Sequence, residues 1–242
     1  MFLPEGGLLY PAASRFSFDK GWLRGSHSFS FAEYQDENNT EFGPMRVCND
    51  DVITPGRGFG AHPHSDMEIV SIVLYGELRH EDNRGHVAVT RFGGIQRMSA
   101  GHGIIHTEHN ASQMEDVSLL QLWFSPHTKG LKPSYEATAF NPERLHGQLL
   151  PVVAGKRVPG TEGEIAAINQ DLTIYLSKLQ PGEQVEFTQA EGRRVFLFVI
   201  EGSLRVNGEH ILQGRDSARI EQEPKLSLKA EDSVFYMLID LP

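Results

Sequence analysis

The chain has 242 residues, of which 39% are hydrophobic and 22% charged, a globular composition with room for one large domain or two of about 120 residues. Its 32 acidic against 22 basic side chains give a formal charge of −10, which argues against direct binding of a polyanion such as a nucleic acid. The single cysteine, Cys48, excludes an internal disulfide framework and any zinc site built of thiolates alone.

In chain order, residues 1–14 show neither the basic opening nor the long apolar core of an export signal, and with no cystine a cytoplasmic location is expected. Segments 45–48, 68–78, 86–91 and 117–124 are short, rich in β-branched or aromatic residues, and bounded by Gly, Pro, Asn or Asp, so they read as strands. Beyond the Pro- and Gly-containing stretch 126–142, residues 194–206 read as strand again. They lead into Asn207-Gly208, a pair suited to a type I′ hairpin turn, which needs positive φ at both central residues. The longest apolar run, 195–200, is too short to span a bilayer, so no membrane partner is expected. Strands at this spacing without helical periodicity predict an all-β fold of sandwich or barrel type.

One stretch repeats. Residues 55–78 (PGRGFGAHPHSDMEIVSIVLYGEL) align without a gap on 181–204 (PGEQVEFTQAEGRRVFLFVIEGSL). Pro55, Gly56, Val73, Gly76 and Leu78 then fall on Pro181, Gly182, Val199, Gly202 and Leu204, and apolar residues meet at Phe59/Val185, Ile69/Val195, Ile72/Phe198 and Leu74/Ile200. Matched turn residues at both ends predict two β domains of similar fold. Their expected bounds are 1–126 and 143–242, with a linker over 127–142.

The first copy carries donors that the second lacks. Residues two apart on a strand project from one face, so His62-Pro63-His64 aims two imidazoles at one point. His106-Thr107-Glu108 repeats the device with an imidazole and a carboxylate. Two such strands facing each other would offer three nitrogens and one oxygen to a divalent metal, a set that suits Fe(II), Mn, Ni, Cu or Zn. On the repeat, His62, His64 and Glu68 fall on Thr188, Ala190 and Arg194, so no metal is expected in the second domain. Other motifs carry less. Gly56, Gly58 and Gly60 precede a histidine-bearing strand rather than a helix, against a dinucleotide loop, and no nucleophile elbow appears. Cys48 reads as a buried small residue. His80, His86, His127, His146 and His210 lie among polar or turn residues and read as solvated surface.

The spacing Gly56-x5-His62-x-His64-x3-Glu68-x7-Gly76 resembles the first cupin motif, with one extra residue before the last glycine. Gly101-x-Gly103-x2-His106-x3-Asn110 resembles the second, with Gly101 where proline is usual. More narrowly, HSFSFA at 27–32, RVCNDD at 46–51, GFGAHPH at 58–64 and MSAGHGIIHTE at 98–108 are similar to pirin-like proteins, in family order and over most of the first half. The resemblance implies a bicupin, two cupin-type β-barrel (jelly-roll) domains, with one metal, iron before the others, in the N-terminal barrel. It implies His62, His64, His106 and Glu108 as the ligands. The general cupin motif would make Glu68 the carboxylate ligand, whereas the narrower resemblance implies Glu108 and leaves Glu68 beside the site or within its strand.

Four protein ligands on a six-coordinate metal leave two positions for oxygen and an organic substrate. Pirin-like proteins of this type are associated with quercetin 2,3-dioxygenase activity, and the resemblance implies that reaction. A flavonol such as quercetin gives up its 3-hydroxyl proton, with Glu108 as both ligand and catalytic proton acceptor, and molecular oxygen opens the central ring with release of carbon monoxide. Phe29, Phe31, Phe59, Met67 and Trp123 are candidates to line an aromatic pocket. The family also includes metal-dependent regulatory partners of transcription factors, a second expectation in which a protein partner binds a metal-sensitive surface. An open pocket at the metal favours the enzyme, and a closed one beside a flat charged surface favours the binding module. A cupin isomerase or decarboxylase is a third expectation.

Overall fold

The computed structural model describes residues 2–3, 7–156 and 163–242. Strands dominate, as the short β-branched segments predict, and the helical turns among the described residues are Ala12–Ser14 and Pro142–Leu145. None of the described helices is long and apolar enough to cross a membrane. The chain divides into two compact units. One comprises Phe16–Phe140 with Gly155–Gln170, and the other Met1–Arg15, Asn141–Ala154 and Asp171–Pro242.

The first unit consists of a seven-stranded sheet, in the order Ser134–Ala139, Gly94–Ser99, Glu68–Tyr75, Val117–Phe124, Met45–Ile53, Leu23–His27, Phe16–Asp19, and a four-stranded sheet. The smaller sheet runs Gly58–His64, Ile104–Asn110, Leu78–Asp82, Val87–Thr90. Apolar side chains of both meet in its core, where Ile53, Val73, Val117 and Leu119 of the larger sheet pack with Leu78 and Phe59 of the smaller. The second unit repeats the plan. Its larger sheet contains Ser217–Glu221, Arg194–Glu201, Val234–Leu241 and Thr173–Leu179 in that order, and its smaller sheet runs Gln184–Thr188, Lys225–Ala230, Ser203–Val206, His210–Gln213. These eight strands follow the same order as their counterparts in the first unit, so the repeat read over 24 residues extends through both sheets.

The two long strands expected over 68–78 and 194–206 each break once, at Gly76 and Gly202, and continue in the other sheet of their unit. Both glycines have positive φ, +75° and +79°, and a Cβ there would sit 2.4 Å from the Asp116 carbonyl oxygen or 2.1 Å from that of Ser233. A residue without a side chain is required where the chain leaves one sheet for the other. The Asn207-Gly208 turn has positive φ at both residues, 51° and 74°, as expected. Val206 pairs with His210, so the loop holds three residues rather than two.

The observed units differ from the expected bounds at their edges. Gly7–Tyr10 pairs with Ser217–Glu221 and so belongs to the second unit. Within the expected linker 127–142, Ser134–Ala139 is an edge strand on Gly94–Ser99 of the first unit. Edge strands satisfy their backbone on whichever sheet is adjacent, a choice that local composition does not encode.

Candidate metal centre

Three adjacent strands of the smaller sheet in the first unit carry a polar inner face. His106 stands directly opposite His62 on one side and Asp82 on the other, while Glu108 stands opposite His80. Residues opposed in an antiparallel pair share a face, so His62, His64, His106, Glu108, His80 and Asp82 all point the same way. A bulge between His106 and Glu108 sets Glu108 against Phe59, a local shift of the kind that re-aims side chains at functional sites.

The rings of His62, His64 and His106 face one another with centroids 4.4 to 4.9 Å apart. Their ligand nitrogens lie within 4.8 Å of each other, and a second cluster on the same criterion joins His106 to Glu108 and His80. His62 donates Nδ1–H to the Gly60 carbonyl at 2.7 Å, which leaves its Nε2 lone pair free. Nε2 of His106 is buried and has no hydrogen-bond partner. Burial, with the charge of His62 beside it, pushes the His64 imidazole down to about 4. Burial together with His62, His64 and His80 pushes His106 down to about 2 against the pull of Asp82. Neutral imidazoles with unshared lone pairs are what a divalent cation takes as ligands, so the donor set fits a metal.

Glu108, 4% exposed, is braced from the opposite sheet. Its carboxylate accepts from Ser71 Oγ at 3.2 Å and from Gln121 Nε2 at 2.6 Å, and the Trp123 indole donates to Gln121 Oε1 at 3.3 Å. Glu68 is equally buried but lies outside both donor clusters. It accepts from Ser99 Oγ at 2.8 Å and from the Asn169 backbone N–H at 3.0 Å, and so ties residue 169 into the first unit. Cys48 is fully buried, as its reading as a small core residue expects.

His80 is a correction. It is 1% exposed rather than solvated, stacks on Tyr135 with centroids 4.2 Å apart, and lies between His106 and Asp82. Burial pushes the Asp82 carboxyl up, but hydrogen bonds from His80, His86 and the backbone N–H groups of Arg84 and His86 outweigh it and hold Asp82 below the usual carboxylate range. The signal for His80 was the alternation Leu78-x-His80-x-Asp82, the same period as the ligand pairs, in a strand too short to stand out. His86 and His210 are partly buried, and His127 and His146 are exposed.

His62 and Glu108 also line a cavity of about 470 Å³ whose walls include Phe16, Phe18, Trp22, Phe31, Phe59 and Trp123. Phe31, Phe59 and Trp123 thus take the lining positions expected of them. Phe29 is fully buried elsewhere, and Met67 packs on the Ile69, Met98, Ala100 and Ile104 cluster, so neither reaches this cavity. The buried Asn49 amide oxygen, without a hydrogen-bond partner, belongs to a lining residue.

The second unit has the same strands without the donors. Leu228 stands opposite Val206 where Glu108 stands opposite His80, and Leu226 takes the place of His106. All three replacements are buried in that unit's hydrocarbon core.

Residues 11–124 match the family model Pirin, and residues 159–241 match the model of the quercetinase C-terminal cupin domain. The quercetin 2,3-dioxygenase of Escherichia coli K12 is 37% identical over 97% of this chain and 98% of its own. A pirin-like protein of Caulobacter vibrioides is 36% identical over 92% of this chain and 94% of its own. The crystal structure of the bacterial pirin YhhW from Escherichia coli in complex with nickel(II) has 36% identity and a TM-score of 0.89, covering 98% of this chain and 99% of that one. With both halves matched and the likeness running nearly end to end, the chain belongs to the pirin family and is a bicupin.

Proposed function

We propose that this protein is a metal-dependent dioxygenase that opens the central ring of a flavonol such as quercetin, with one divalent cation held by His62, His64, His106 and Glu108. The observation that carries the reading is the junction of the two donor clusters with an aromatic-walled cavity of about 470 Å³, since His62 of one cluster and Glu108 of the other both line it. Relatives named quercetin 2,3-dioxygenase at 37% identity support the substrate class. The nickel complex of YhhW supports a divalent metal, with iron(II) and nickel(II) the first to test.

When bound, the cation supplies a Lewis-acid and redox centre at which oxygen and the deprotonated substrate meet. This chain's residues do the rest. The aromatic walls at Phe31, Phe59 and Trp123 take the flat rings by stacking and exclude water, which limits side reactions. The Glu108 carboxylate takes the 3-hydroxyl proton, and Gln121 and Ser71 hold its oxygens in place while it does so. A cavity beside the donors favours this enzyme over a regulatory binding module, which would need no room for a guest.

Protein loaded with iron(II) or nickel(II) should consume oxygen on addition of quercetin and evolve carbon monoxide in equal amount. Turnover no faster than with the free cation would overturn the reading.

A further inference from the structure

Besides His62 and His64, His106 faces a further ring, that of His80, which has no part in the proposed donor set to which His106 belongs. Nδ1 of His106 lies 3.3 Å from Nδ1 of His80, and Nε2 of His80 lies 3.2 Å from Oδ2 of Asp82. Asp82 is an acceptor on every side. Its Oδ1 takes the backbone N–H of Arg84 at 2.9 Å and of His86 at 3.1 Å, and its Oδ2 also faces His86 Nδ1 at 2.9 Å. A carboxylate so placed demands a proton on Nε2 of His80. A neutral His80 then presents a lone pair at Nδ1, and the only proton available to that contact is on Nδ1 of His106. His106 is left with a bare Nε2, the buried atom that has no hydrogen-bond partner.

We infer that His80 is the positioning residue of the metal centre: by accepting from Nδ1–H of His106, it holds that ring in the one tautomer whose Nε2 can face a cation. The inference rests on the ligand assignment proposed above. Three features give it substance. Both nitrogens of His80 are engaged, so it is a support and not a fifth donor. Tyr135 stacks on its ring at an interplanar angle of 14° and fixes its plane. The second unit, where leucines replace His106 and Glu108, also replaces His80 with Val206, so donors and support are lost together. Outer hydrogen bonds of this kind set ligand tautomer and basicity in metal sites generally.

Imidazole nitrogen–proton correlation spectra of the metal-free, full-length protein read the tautomer directly. The His106 proton should sit on Nδ1 in the wild type and in His80→Asn, whose amide oxygen keeps an acceptor near the same place. His80→Leu, which fills the space without accepting, should move the proton to Nε2 or divide it between the two nitrogens. Affinity for iron(II) or nickel(II), measured by chelator competition, should fall about 10- to 100-fold in His80→Leu and stay close to wild type in His80→Asn. A wild-type His106 protonated on Nε2 overturns the inference without any variant, and so does equal loss of metal in both variants. An Nδ1–H ring in a protein that takes up neither cation refutes the ligand assignment and leaves the hydrogen-bond assignment standing.

Discussion

Glu68 and Glu108 are buried to nearly the same degree, and their partners separate them. The Glu108 carboxylate shares a donor cluster with His106, whereas Glu68 lies outside both clusters and accepts hydrogen bonds from Ser99 and Asn169. Glu108→Ala should therefore lose bound metal. Glu68→Ala should retain it and instead loosen the tie to Asn169, seen as faster amide exchange around residues 166–170. Elemental analysis of the two purified variants decides the first point, and metal loss confined to Glu68→Ala would reverse the assignment. Histidine protonation supplies a second test. His64 and His106 titrate below the ordinary value of 6.5 in the fold, so between 6.5 and about 4 the unfolded chain binds protons that the native state refuses. Stability of the metal-free protein should be fully present above pH 7 and fall as the pH drops through that window. Buried His106 alone contributes up to about 1.4 kcal/mol per pH unit. Urea midpoints at pH 7.5, 6 and 5 measure the slope, and a midpoint that does not move would contradict the burial of these rings.

At the level of strands, the crossing glycines are the most exposed to test. Gly76→Ala and Gly202→Ala each place a Cβ against a carbonyl oxygen at positive φ, and each should cost about 1–3 kcal/mol in denaturant unfolding. Both positions were legible as matched turn residues of the repeat, although the strands around them read as continuous. Period-two spacing was equally legible in His62-x-His64 and His106-x-Glu108, because a strand needs only its own residues to put them on one face. His80 was not legible. Its strand Leu78–Asp82 is five residues long with charged neighbours, and it is buried by pairing with Ile104–Asn110, some 26 residues farther along the chain. Burial that depends on a distant partner leaves no local pattern.

Across the whole chain, two units share one strand order, and only one has donors on the inner face of its smaller sheet. One cation per chain is therefore expected. A His62→Ala/His64→Ala double variant should fall to background in elemental analysis, not to half, since Leu226, Leu228 and Val206 offer the second unit nothing to coordinate with. Retention of half the metal would place a donor set in the second unit. The fold class, the doubling and the period-two pairing of the candidate donors follow from alternation, turn residues and side-chain chemistry, all of which act within a few residues. The edge strands at 7–10 and 134–139, the hydrogen-bond partners of the two buried glutamates, the contact of His80 with His106 and the cavity beside the histidines come from tertiary structure alone, because each arises where segments far apart in the chain pair and close off solvent together.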